Sequence, residues 1–227
     1  MMPRSLRSFF LAAAAGSLLA LSAGHAAAQL APVNPWEPAI RAFEAADAIH
    51  PPAPGGVVFI GSSSIQKWAS LPEDFPGRNA INRGFGGSRL ADSTYFAHRV
   101  ATKYRPRLIV LYAGDNDLFE GHSAEQVFAD FKDFVAAVRK DLPDEPIAFI
   151  SIKPSPSRAH LLPAVRTANA LIADYTRAQK NIRYVDVFTP MLDANGQPRA
   201  ELFIEDRLHM NRSGYALWIS ALAPLLR

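Results

Sequence analysis

The residues best suited to chemistry lie at the ends of apolar runs. Val57 to Ile60 is a short β-prone run that stops at Gly61, and Ser62, Ser63 and Ser64 follow at once. A strand turning sharply into a helix there would hold hydroxyls over the end of a sheet, and Ser63 is the candidate nucleophile. A serine hydroxyl attacks only when a neighbouring base takes its proton. The commoner use of serine after a strand is to cap the next helix, so the stretch alone does not decide between the two. Three further places match it in position. Gly84, Gly86 and Gly87 form a glycine-rich turn, Gly114-Asp115-Asn116-Asp117 follows a second strongly apolar run, and Asp206-Arg207-Leu208-His209 precedes the last helix-like segment. Singly, each has a plain alternative: a tight turn, a capped loop or a surface ion pair.

The elements that must position these residues can be read from periodicity. Val57–Ile60, Asn79–Asn82, Leu108–Tyr112, Ile147–Ile152 and Ile182–Val187 are short apolar runs, continuous in most cases. Continuous runs, unlike alternating ones, mark strands buried on both faces. Between them lie helix-spaced segments at Trp36–Ala48, Leu90–Tyr104, Ala124–Lys140, Leu161–Gln179 and Ser213–Leu225. Ser123 with Gln126 forms a capping box for the third of these. Leu71–Arg78 and Thr189–Leu208 read as loops. The alternation predicts a single α/β domain, a three-layer α/β/α sandwich around a five-stranded parallel sheet. In such sheets function gathers at the carboxyl ends of the strands, where all four places lie.

The first 28 residues are expected to stand apart from this domain. Arg4 and Arg7 begin a basic segment, Phe9–Ala23 is apolar, and Ala26-Ala27-Ala28 offers a small-residue cleavage site, the pattern of a secretory signal peptide. Export to the periplasm or beyond follows as an expectation, with no stable membrane insertion after cleavage. Those two arginines supply most of the formal charge of +3, so the remaining chain is nearly neutral. Its Lys and Arg are scattered among acids, with no basic block or aromatic–basic stripe, which argues against a nucleic-acid partner. With no cysteine, disulfides, thiolate metal sites and a cysteine-linked lipid anchor are excluded.

Several motifs fail on inspection. The glycine turn lacks the last glycine of a dinucleotide fingerprint, and no Gly-Lys-Ser/Thr phosphate loop is present. Ile65 stands where the second glycine of a G-x-S-x-G elbow belongs. Asp115, Asp117 and Glu120 begin like a calcium loop, but Glu120 occupies the position of its turn glycine.

Taken in order, the four places resemble the blocks of the SGNH hydrolases, the GDSL family of esterases and lipases. They span Ile60 to His209. Gly114-Asp115-Asn116-Asp117 and Asp206–His209 match the family's G-x-N-D and D-x-x-H, while Ser62 replaces the aspartate of its G-D-S. Register against the glycine and the following Trp68 selects Ser63 over Ser64. The resemblance implies a flavodoxin-like fold and a Ser63–His209–Asp206 triad, with His209 as base and Asp206 fixing its tautomer. It implies an oxyanion hole made by the N–H groups of Ser63 and Gly87 and the Asn116 amide.

Phe85, Phe119 and His122 flank these positions and are candidates for lining the substrate cleft. The expected activity is hydrolysis of carboxylic esters of small molecules, glycans or lysolipids, with no metal or cofactor. Lack of an obvious lid insertion favours short acyl groups. Two other readings compete: a phosphate-binding module that uses the serines at a helix start, and an inactive glycan-binding envelope protein.

Overall fold

Five apolar runs become one all-parallel sheet in the computed structural model, which describes residues 34–226. The strands are β1 (Val57–Gly61), β2 (Ala80–Gly84), β3 (Leu108–Tyr112), β4 (Ile147–Ile150) and β5 (Ile182–Val185). The helices are α1 (Glu37–Ile49), α2 (Ser63–Gln66), α3 (Leu71–Asp74), α4 (Leu90–Val100), α5 (Asp115–Phe119), α6 (Ala124–Asp141), α7 (Leu162–Arg177) and α8 (Arg212–Leu222). The segment predicted as a signal peptide lies outside the described residues.

Alternate residues of each strand enter opposite cores. Val58 and Ile60 of β1, Ile109 and Leu111 of β3, and Ile147 and Phe149 of β4 pack against residues of α1, α4, α6 and α7. Val57 and Phe59, Leu108 and Val110, and Ala148 and Ile150 pack on the other face, with residues of α2, α3 and α8. Both faces are covered, which is why these strands read as unbroken apolar runs. The α8 side is built around aromatics: Trp68 sits 5.0 Å from Tyr215 and 5.9 Å from Trp218, centroid to centroid.

Strand order is β2-β1-β3-β4-β5. The chain steps from β1 out to β2, then returns across β1 to lay down β3, so its direction of winding reverses at β1 and β3. That reversal opens a crevice beyond the carboxyl ends of the two strands. The register makes the edge level: Gly61 pairs with Gly84 on one side and Tyr112 on the other, the last residues of their strands. The segments that follow β1, β2 and β3 therefore emerge side by side.

Long helices are set by local signals. Ser123 accepts the Gln126 N–H at 3.2 Å and starts α6. The helix stops at Leu142, where Arg139 donates to the carbonyls of Leu142 (3.1 Å) and Glu145 (2.7 Å). Asn211 caps α8, accepting from Ser213 N (2.9 Å) and Gly214 N (3.2 Å).

The structure differs from expectation in short pieces. Leu71–Arg78 contains the single turn α3, and the G-D-N-D segment winds into α5 where a loop was expected. The predicted helix from Leu161 starts one residue later, after a 3-10 segment at Pro156–Leu161. The second strand runs on to Gly84, two residues past its apolar part, because Asn82 and Arg83 find partners: Asn82 Nδ2 donates to Ile65 O at 2.6 Å, and Arg83 bonds Tyr104 and Asp47. No helix among the described residues is long and apolar enough to cross a membrane.

Candidate active site

The turn after β1 depends on one glycine. Gly61 has φ of 140°, and a Cβ there would stand 1.9 Å from the Tyr112 carbonyl oxygen, so a side chain is excluded by backbone. Ser62 is extended, its N–H donates to Tyr112 O at 3.0 Å, and its carbonyl takes the N–H groups of Ile65 and Gln66. Its hydroxyl makes no capping bond, so the helix start uses the backbone of Ser62 and not a serine side chain. Ser62 and Ser64 are 3% and 2% exposed. Ser63 is the one serine of the three that is partly open to solvent.

His209 meets it there. His209 Nε2 lies 2.9 Å from Ser63 Oγ, and its Nδ1 lies 2.6 Å from Asp206 Oδ2. The loop that brings the imidazole in is held at both ends. Ile204 N donates to His209 O at 2.8 Å, Phe203 bridges Met210, and Asn211 N donates to Leu202 O at 3.0 Å. Within it Arg207 is left-handed, φ 57°, a conformation that costs a residue with a Cβ about 1–2 kcal/mol. The turn aims Asp206 back on the segment: its Oδ1 accepts from Leu208 N (2.9 Å) and His209 N (2.8 Å). Burial alone would raise the Asp206 carboxyl. The bonds from the His209 N–H, the His209 ring and the Leu208 N–H outweigh it and hold the group at about 2. Asp206 therefore stays an anion through the acidic range and can hold the ring in one tautomer.

The other two predicted positions face the same edge. Gly87 has φ of 78° with open space where a Cβ would be, so its glycine is demanded by backbone conformation and not by a close neighbour. Among the described residues, neither the Ser63 nor the Gly87 N–H donates to a protein acceptor. Asn116 Nδ2 donates to Ser88 O at 2.9 Å, tying it to the Gly87 turn and leaving its second hydrogen free. Arg158 fixes which way that amide points, with Nη1 and Nη2 each 3.2 Å from Asn116 Oδ1.

Beneath Asn116 runs a buried charged network that the sequence reading missed. Asp115 Oδ1 is 2.7 Å from Arg158 Nη1, and its Oδ2 is 2.8 Å from Lys153 Nζ, which also donates to Ser155 Oγ at 2.9 Å. Burial would raise the Asp115 carboxyl, but Lys153 and Arg158 overcome that and lower it. The available signal was Lys153 itself, a charge directly after the apolar run of β4. Asp117, the neighbour on the other side, is wholly buried; desolvation pushes its carboxyl up to about 6.

The three cleft-lining candidates separate. Phe85 is fully buried, edge-on to Phe96 at 5.8 Å and to Trp36 at 6.3 Å, and belongs to the core, correcting its assignment to the cleft. Phe119 is 57% exposed and lies under the Arg158 guanidinium at 4.3 Å, beside Asn116. His122 turns towards Asp117 and Asp130, with Nδ1 buried, instead of lining the cleft. A concavity of about 530 Å³ between α6 and α7 lies by Asn181 and Ile182, where β5 begins, and so at the opposite end of the sheet from Ser63.

A level parallel sheet carrying Ser, His and Asp in one hydrogen-bonded chain at its switch point is the framework of a hydrolase. Residues 59–217 match the GDSL-like Lipase/Acylhydrolase family. Platelet-activating factor acetylhydrolase IB subunit alpha1 of Pongo abelii is 27% identical over 183 residues, 75% of this chain and 74% of that protein. A GDSL-like lipase from Bacteroides thetaiotaomicron superposes with TM-score 0.71 at 20% identity, covering 82% of this chain and 96% of that one. A family 3 carbohydrate esterase of Clostridium thermocellum gives TM-score 0.60 at 15% identity, with 77% and 98% covered. The chain belongs to the GDSL-like lipase/acylhydrolase family, and is a hydrolase of ester bonds.

Proposed function

We propose that this chain is an exported serine esterase that removes short acyl groups, acetyl foremost, from an alcohol through a covalent acyl-enzyme. The observation that carries the reading is the bond between His209 Nε2 and Ser63 Oγ at 2.9 Å, on the one accessible serine of three. His209 takes the Ser63 proton as Oγ attacks the ester carbonyl. The carbonyl oxygen becomes an anion facing the Ser63 and Gly87 N–H groups and the free hydrogen of Asn116. Collapse breaks the bond to the alcohol, which leaves with the proton from His209. Water then enters, gives a proton to His209, and releases the acid from Ser63 by the reverse sequence. Asp206 stays ionised throughout and stabilises the imidazolium.

The acetyl preference draws support from the name of one relative, an acetylhydrolase subunit. Export rests on the character of residues 1–28. The Phe119 ring, exposed beside Asn116, is the side chain placed to touch substrate.

A fluorophosphonate probe tests the site directly. It should modify one residue, located at Ser63 by peptide mass spectrometry, and block release of p-nitrophenol from p-nitrophenyl acetate. Labelling at Ser64, or none with activity intact, sinks the assignment. An ester panel of rising acyl length, with acetylated sugars and lysolipids included, should show turnover falling as the acyl chain lengthens from acetyl. Asn116→Ala should lower kcat on the order of 10²–10³-fold, the usual cost of one oxyanion donor. A loss confined to KM would remove Asn116 from that role.

A further inference from the structure

We propose that Asp117, His122 and Asp130 form a binding site for one divalent cation of the zinc or manganese class. The inference stands apart from the esterase reading, since none of the three residues belongs to the proposed catalytic chain. Three elements converge here: α5 gives Asp117, the loop after it gives His122, and α6 gives Asp130. One ligand atom from each lies within 4.8 Å of the others. Donors held at about 2.0–2.1 Å from one tetrahedral ion stand about 3.4 Å apart, so the widest pair would close by up to about 1.4 Å on binding.

Two of those groups have nothing else to bind. Asp117 is 0% exposed, and its Oδ2 has no hydrogen-bond partner; His122 Nδ1 is likewise buried without one. The remaining bonds of the cluster leave these atoms pointing together. Asp117 Oδ1 is used by the Leu90 N–H at 3.1 Å, and Asp130 Oδ1 by Gln126 Nε2 at 2.8 Å. His122 is held in place by its own N–H, which donates to Asp117 O at 3.0 Å. His122 Nδ1 and Asp130 Oδ2 are 3.9 Å apart, too far for a hydrogen bond and close enough to share an ion. Among the described residues no Lys or Arg pairs with either carboxylate. The Arg89 charge acts on Asp117 only from beyond salt-bridge distance, so two buried or half-buried carboxylates lack a direct cationic partner, and a bound metal would supply one.

Donor chemistry selects the ion. One imidazole nitrogen with two carboxylate oxygens suits zinc or manganese; calcium prefers oxygen alone in larger number. Such an ion would staple α5 to α6. Through Asp117, the residue after Asn116, it would also fix the Leu90 N–H at the start of α4. Its effect is on rigidity of that wall.

The test is calorimetric titration of ZnCl₂, and separately MnCl₂, into chelator-treated full-length protein, with thermal melting in parallel. The wild type should bind one ion and melt higher, with both effects lost or weakened at least tenfold in His122→Gln and Asp130→Asn. His209→Gln should bind like wild type, which separates this site from the Asp206–His209 pair. Unchanged binding in His122→Gln and Asp130→Asn, absence of binding in the wild type, or binding of CaCl₂ alone would each overturn the proposal. So would a crystal soaked in ZnCl₂ that shows a water with no anomalous signal between the three side chains.

Discussion

Ser63→Ala lowers kcat for p-nitrophenyl acetate on the order of 10⁴–10⁶-fold while leaving the melting temperature nearly unchanged. The size follows from removing the atom proposed to form the acyl bond; the donors and binding contacts that remain would sustain only a small residue of catalysis. The unchanged stability follows from the surroundings of Oγ, whose one hydrogen-bond partner among the described residues is His209. Ser64→Ala is the contrasting variant. Ser64 is 2% exposed, and what holds its segment is the Tyr215 hydroxyl donating to its backbone carbonyl at 2.9 Å, a bond that survives the substitution. Its turnover should stay within a few fold of wild type. Steady-state kinetics on both proteins decide the matter, and the reverse pattern would move the nucleophile by one residue.

Lys153→Met lowers unfolding free energy by about 3 kcal/mol, the lower end of what breaking a buried ion pair costs. That is a large part of the roughly 5–15 kcal/mol by which a domain is stable. The lower end applies because Asp115 keeps Arg158 on its other oxygen at 2.7 Å. What it loses is the donor on Oδ2, where the next nearest group, the Tyr112 hydroxyl, is 3.4 Å away. The pH dependence has a definite sign. The folded Asp115 carboxyl lies below its ordinary value of 3.8, so its pairing stabilises the protein above that pH and is lost as pH falls through the lowered value. The difference between wild type and Lys153→Met should therefore be widest near neutrality and shrink towards pH 3. Urea denaturation at pH 7 and pH 3 measures it. A midpoint that does not move at pH 7 would show that Lys153 is dispensable.

Much of the framework could be read from residue types because both faces of the sheet are buried. Val57–Ile60 and Leu108–Tyr112 leave no room for alternation, and that compels a parallel sheet with helices on each side. The grouping of Ser63, Gly87, Asn116 and His209 at one edge was equally legible, since each follows a strand or precedes a helix. Less legible was whatever depends on side chains meeting across elements. Phe85 and Phe119 look alike in sequence, yet one is fully buried and the other 57% exposed, because only Phe85 faces Trp36 and Phe96. His122 looked like a loop residue near the cleft. Its ring is drawn instead to Asp130, a residue on α6 whose inward orientation no local pattern announces. Lys153 and Arg158 were missed for the same reason: their partner Asp115 lies about forty positions earlier.

Ser63 and His209 stand 146 positions apart in the chain yet share one hydrogen bond. The loop that delivers the imidazole is locked by Asn211, which also starts α8, and α8 is seated by Tyr215 and Trp218 against the aromatic cluster around Trp68. A chain lacking its last twenty residues would carry the hydroxyl and the sheet but would have lost His209 itself. The carboxyl-terminal segment is thus as necessary to the proposed chemistry as the serine, since it brings the base to Ser63 Oγ.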